Sequence, residues 1–131
     1  MALDWRGMGL VAVGAVPGAL ARWGMSVLIP SSAAPWPTFP WATLAVNLTG
    51  SFLIGGLVLP SGTDPTVKLL VVVGFLGAFT TMSTYSAETV DFWRNGHPGV
   101  AIANILLTGV GGPLCALLGW LVAQRLAPAA A

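Results

Sequence analysis

Four apolar windows, each close to the roughly 20 residues that carry a helix across hydrocarbon, dominate this chain and restrict what it can fold into. They run from Met8 to Ile29, Trp41 to Leu59, Leu69 to Trp93 and Gly99 to Leu126. Helix-stopping links separate them. Pro30, Pro35 and Pro37 crowd the first link, Pro60-Ser61-Gly62-Thr63-Asp64-Pro65 makes the second, and Arg94-Asn95-Gly96-His97-Pro98 the third. Trp5, Trp23, Trp36, Trp41, Trp93 and Trp120 fall near window ends, where an amphipathic indole suits the lipid boundary. The pattern predicts an all-α, multi-pass membrane protein of four transmembrane helices in one domain over residues 1–131.

Composition closes off the soluble alternatives. Only 7% of the 131 residues are charged and 56% are hydrophobic, against about 25% charged in an average soluble domain. The net charge of +1 is scattered, so no basic stripe offers itself to nucleic acid. Cys115 is the only cysteine and lies in an apolar run, which leaves no internal disulfide and no cysteine metal motif. Met1 to Arg22 has the outline of a signal peptide, but apolar character resumes through Trp23 to Ile29, so the segment is expected to stay as a mature helix. The single histidine, His97, sits beside a loop proline, and no buried set of nucleophile, base and acid is present. No phosphate-binding glycine loop with its lysine appears either. An enzyme and a nucleotide-driven pump are both disfavoured.

Charge says little about orientation. With four spans, Arg6, Lys68 and Arg125 face one compartment, and Arg94 with or without Arg22 faces the other. The positive-inside rule orients a protein firmly only when loop charges are lopsided. Two readings stand: insertion in both orientations, with an up copy pairing with a down copy, or a fixed topology with a small bias.

Hydrocarbon penalises unpaired polar groups, so polar residues inside spans point toward protein or a water-filled cavity. Thr43, Asn47 and Ser51 recur at i, i+4 and i+8 on one face of the second span. Interhelical hydrogen bonding is the plain alternative for Thr43 and Ser51. The Asn47 amide carries two donors and needs several partners at once. Gly14, Gly18 and Arg22 share a face of the first span, the glycines permitting a close neighbour, while snorkelling is the alternative for Arg22. The third span carries Gly74 and Gly77, then Thr80-Thr81-Met82-Ser83-Thr84-Tyr85-Ser86. Glycines followed by hydroxyls that compete for backbone bonds favour a broken helix there. A break frees carbonyls that suit a cation and amides that suit an anion. Glu88, one turn after Thr84, either lines a vestibule or sits at the membrane surface beside Asp91 and Arg94. Asn104, Thr108 and Gly112 form a polar track on the fourth span, and Gly111, Cys115 and Gly119 a close-packing seam.

Three stretches together resemble the Fluc (CrcB) fluoride channel family: Gly14 to Trp23, Trp41 to Phe52 with its Asn-x-x-Gly-Ser-Phe element, and Gly74 to Glu88 with its Thr-Thr-x-Ser-Thr-x-Ser element. The resemblance covers the first three spans in order, and the fourth agrees in length and character. It implies an antiparallel, dual-topology homodimer in the bacterial plasma membrane, two anion pores, and passive export of fluoride from the cytoplasm. It also implies a structural sodium ion at the dimer centre, held here by the backbone carbonyls of Gly77 and Thr80. Asn47 would hydrogen-bond fluoride, Thr43, Ser83 and Thr84 would line the approach, and Thr108 with Asn104 would stand on the hydroxyl track. Arg22 and Glu88 complete the implied anion pathway. The choice of fluoride over chloride comes from the resemblance.

One departure concerns the pathway itself. Met82 and Tyr85 stand where the family usually carries two phenylalanines whose ring edges face the anion. A ring edge is the positive part of the aromatic quadrupole. Methionine has a polarizable thioether and no such edge, whereas Tyr85 keeps an edge and adds a hydroxyl. Two explanations compete: a chain that conducts with Met82 as an apolar liner, or one that pairs with a paralogous second subunit. A proton-coupled multidrug exporter is the rival from another class, and it would want a carboxylate in the first span, where this chain has none.

Overall fold

The computed structural model describes residues 4–29, 39–58 and 63–126, and every regular element among them is helical. Helix α1 spans Trp5–Leu28 and α2 spans Trp41–Val58. Helix α1 begins three residues ahead of the apolar window because the Asp4 carboxylate caps it, accepting from Gly7 N–H at 2.7 Å. The third span opens on the short helix α3, Pro65–Val67, where Asp64 accepts from Thr66 and Val67 N–H at 2.7 and 3.3 Å. Pro65 needs no amide partner in that first turn. The span continues as a π-helical segment, Lys68–Leu76, then α4, Gly77–Phe79, and α5, Met82–Arg94. Gly96, at φ +80°, makes the turn that a side chain would strain, and α6 follows over Pro98–Leu126.

Trp5–Leu28, Pro65–Arg94 and Pro98–Leu126 are long and apolar enough to cross a membrane. Helix α2 is shorter, 18 residues or about 27 Å at 1.5 Å per residue, near the lower limit for spanning. The first, proline-rich link falls largely outside the described residues.

Two glycine seams join the helices in pairs. A Cβ on Gly14 would overlap the Leu70 carbonyl, and one on Gly18 the Phe75 carbonyl, so α1 lies backbone to backbone against the π-helical segment. Gly74 returns the contact, its Cβ position 2.7 Å from the Val11 carbonyl. On the other side α2 and α6 make the most extensive helix pair. There Gly55 faces the Ala116 carbonyl and Gly119 the Phe52 carbonyl. Small residues of this kind let membrane helices associate by close packing where hydrophobic exclusion supplies no force. The buried core is accordingly small: Val46, Leu76 and Phe79, with Ala21, Met25 and Phe75 against it. Most large apolar side chains, among them Val13, Leu20, Leu106 and Leu118, point outward.

Candidate functional site

The backbone leaves helical geometry between α4 and α5. Thr80 has φ −75°, ψ 156° and Thr81 φ −147°, ψ 108°. Local and tertiary bonds combine to hold this shape. The Leu76 carbonyl accepts from both Thr80 N–H, 3.0 Å, and Thr80 Oγ1, 2.9 Å, ending the incoming turn. Thr81 N–H then donates to Asn47 Oδ1 at 2.8 Å, and Asn47 Nδ2 donates back to the Thr81 carbonyl at 3.2 Å. The asparagine amide thus takes the place of a neighbouring strand. Thr81 Oγ1 caps α5, accepting from Thr84 N–H at 3.2 Å and donating to Thr84 Oγ1 at 2.9 Å. Gly50 of α2 makes room for the loop, since a Cβ there would overlap the Thr80 methyl.

Because the Thr81 amide goes to Asn47, the Gly77 carbonyl loses its ordinary i+4 donor. Gly77 is exposed and Thr80 half-buried. Asn47 keeps one free N–H, because its amide has two and the Thr81 carbonyl takes one.

Three cavities share walls around this loop. One of about 440 Å³ is lined by Arg22, Trp23, Ser26, Thr43, Thr81, Ser83 and Thr84. The next, about 330 Å³, also touches Thr81 and adds Asn47, Ser51, Gly77, Thr80, Met82 and Thr108. The last, about 390 Å³, shares Ser51, Met82 and Thr108 with it and adds Tyr85, Gly109, Gly112 and Pro113. Residues from α1, α2, α5 and α6 therefore border neighbouring spaces, with Thr81 between the first two and Ser51, Met82 and Thr108 between the last two.

The sequence-expected residues divide among these surroundings. Thr43, 8% exposed, donates to Glu88 Oε1 at 2.8 Å, and the second Glu88 oxygen is buried without a partner. Glu88 thus ties α5 to α2 instead of standing in water beside Asp91 and Arg94. Ser83 and Thr84 are exposed, Tyr85 is half-buried, and Met82 is 74% exposed. Asn104 is fully buried and its Nδ2 donates to Thr89 Oγ1 at 2.9 Å, whereas Thr108 borders two cavities. Sequence reading did not single out Thr89, and it met Gly50 only as part of the Asn-x-x-Gly-Ser-Phe element. Each matters through the residue opposite it, Thr89 through Asn104 and Gly50 through Thr80. Among the described residues no three His, Cys, Asp or Glu side chains gather as metal ligands.

The family model for CrcB-like protein, Camphor Resistance (CrcB), matches residues 9–120, from within α1 to within α6. The chain belongs to the CrcB family. Its relatives include a protein of Elusimicrobium minutum, 45% identical over 98 residues, which cover 75% of this chain and 78% of that one. Another, from Acinetobacter baylyi, is 40% identical over 119 residues, 88% and 92% of the two chains. A third, from Marinobacter nauticus, is 39% identical over 121 residues, 89% and 94%. Each is named as the fluoride-specific ion channel FluC. The matched residues of this CrcB chain include the Asn47 clamp and the extended threonines that it holds.

Proposed function

We propose that this CrcB chain is a passive fluoride channel that lets fluoride leave the cytoplasm across the bacterial plasma membrane. The observation that carries the reading is the extended Thr80-Thr81 loop, interrupting a membrane-length helix and bordered by hydroxyls and a side-chain amide. A strongly hydrated small anion needs several close donors, each weak enough to release it. The walls of the neighbouring cavities carry Ser83 and Thr84, then Asn47 with its free N–H, then Thr108 and Tyr85. Arg22 at the first cavity attracts an anion to the series. The names of the relatives supply the choice of fluoride.

The working unit of the proposal is a dual-topology homodimer with pores along its interface. Gly77, Met82, Ser83 and Thr84 are exposed in one copy, at a depth where hydrocarbon would meet carbonyls and hydroxyls. Lipid excludes unsatisfied backbone at that depth, so a second copy is the fitting cover. Nearly balanced charge at the two ends supports opposite insertion. The Gly77 and Thr80 carbonyls fit a structural sodium ion, since the Asn47–Thr81 bond leaves Gly77 without its helical donor and hard oxygens suit such a cation. When bound there, sodium would fasten two copies at their loops through its charge.

Purified chain in liposomes loaded with potassium fluoride or potassium chloride tests the reading. Rapid fluoride efflux with chloride retained is expected, and equal or absent fluxes from an intact dimer would end it. Met82 favours a second reading, half of a heteromeric channel, because it puts an exposed thioether where an aromatic edge is expected. Fluoride flux from liposomes holding this chain alone decides against that reading.

A further inference from the structure

We infer that Thr81 is a positioning residue whose hydroxyl decides which of two neighbouring hydroxyls gives its proton to the anion, Thr84 and not Ser83. This rests on the channel reading above and deepens it, because it ranks side chains that line one cavity together with Arg22. Thr81 itself is only 6% exposed. Its oxygen accepts from Thr84 N–H at 3.2 Å, and its proton goes to Thr84 Oγ1 at 2.9 Å. Ser83 Oγ lies 3.3 Å from the same oxygen. A hydroxyl has one proton and two lone pairs, so with its proton committed to Thr84 the Thr81 oxygen meets Ser83 only as an acceptor. The Ser83 proton is thereby turned inward. What Ser83 offers the cavity is lone pairs, which suit water and repel an anion.

The Thr84 proton has no such use. Hydroxyls further along α5 fold back onto their own helix: Ser86 Oγ donates to the Met82 carbonyl at 2.8 Å and Thr89 Oγ1 to the Tyr85 carbonyl at 2.7 Å. That return needs a helical carbonyl four residues earlier. For Thr84 the residue in question is Thr80, which precedes α5 in extended backbone, off the helical path. Thr84 is exposed, and its hydroxyl proton has no partner among the described residues. Its oxygen already accepts from Thr81, and hydrogen bonds in a chain polarise one another, so the Thr84 hydroxyl donates more strongly for being held this way. The order runs from Ser83 to Thr81 to Thr84 to the anion, every proton pointing the same way. Thr81 does not touch the ion and acts through Thr84.

Fluoride efflux from liposomes, measured against internal fluoride concentration, tests this order in the full chain and in Thr84→Val, Thr81→Val, Thr81→Ser and Ser83→Ala. Losing the donor itself in Thr84→Val should raise the half-saturating concentration about tenfold, the low end of what one hydrogen bond to a charged group is worth. Thr81→Val should raise it about threefold, within the worth of one neutral hydrogen bond. It should also lower the thermal midpoint, because the cap of α5 goes with the hydroxyl. Thr81→Ser keeps the hydroxyl and should rescue both. Ser83→Ala should raise the half-saturating concentration by less than Thr84→Val does. In the Thr84→Val background, Thr81→Val should still lower the midpoint but shift half-saturation no further. An equal shift in both backgrounds would overturn the proposal by marking Thr81 as a cap alone. A shift in Ser83→Ala as large as that in Thr84→Val would overturn it as well, and this comparison decides the matter if Thr81→Val does not fold. Absence of fluoride efflux from the unaltered chain would instead overturn the channel reading, and this proposal with it.

Discussion

Asn47 does two jobs with one amide. Its oxygen and one of its N–H groups hold Thr81 in an extended conformation, and only the remaining N–H is free for an ion. Each bond contributes on the order of 1 kcal/mol, and leaving the Thr81 amide buried and unmet costs somewhat more. Asn47→Ala should therefore lower stability by about 2 to 3 kcal/mol and reduce fluoride efflux at least tenfold. Thermal unfolding in detergent and the liposome assay check the two effects. A variant that unfolds earlier yet conducts normally would show that the loop keeps its shape without the clamp.

At the level of elements, the contact between α1 and the π-helical segment has no room for a side chain. Gly14→Leu would drive a branched side chain into the Leu70 carbonyl, and overpacking of this kind costs typically about 1 to 3 kcal/mol. A drop of several degrees in the thermal midpoint is expected, with fluoride efflux falling in parallel, since the π-helical segment leads directly into Gly77 and Thr80. Unchanged stability would mean that the helices separate freely at this seam. The start of the third span responds to pH through Asp64. The N–H groups of Thr66 and then Val67 hold its carboxyl below the ordinary carboxylate range. Its folded-state pKa is depressed, so its contribution is present above the unfolded value of about 3.9 and lost as pH falls through the folded one. The stability difference between the unaltered chain and Asp64→Asn should shrink on acidification below that range, as thermal midpoints at stepped pH would reveal. A difference that stays constant would remove Asp64 as the titrating cap.

For the whole molecule, the channel proposal turns on one copy covering another. The ends carry Arg6, Lys68 and Arg125 against Arg22 and Arg94, too even a division to impose one orientation. Cysteine-accessibility or charge-tag reporters placed at the C-terminus should find it on both sides of the membrane. Adding two or three lysines beside the N-terminus should drive all copies one way and abolish flux, and coexpression with an oppositely biased copy should restore it. A single orientation for unaltered, conducting protein would sink the antiparallel dimer.

Much of this protein is legible from its sequence because lipid imposes simple demands. Apolar windows, prolines and tryptophans mark the helices, for hydrocarbon tolerates little else, and the Gly74 to Ser86 run announces residues that compete with helical bonding. Those signals are local or periodic, so they survive in one dimension. What only the tertiary structure decided is which partner each polar group takes: Asn47 on Thr81, Thr43 on Glu88, Asn104 on Thr89. Spacing places these residues on faces, but the depth and rotation of one helix against another choose the atom opposite. Glycine contacts without side chains set that depth, and they do so through backbone carbonyls that every residue possesses.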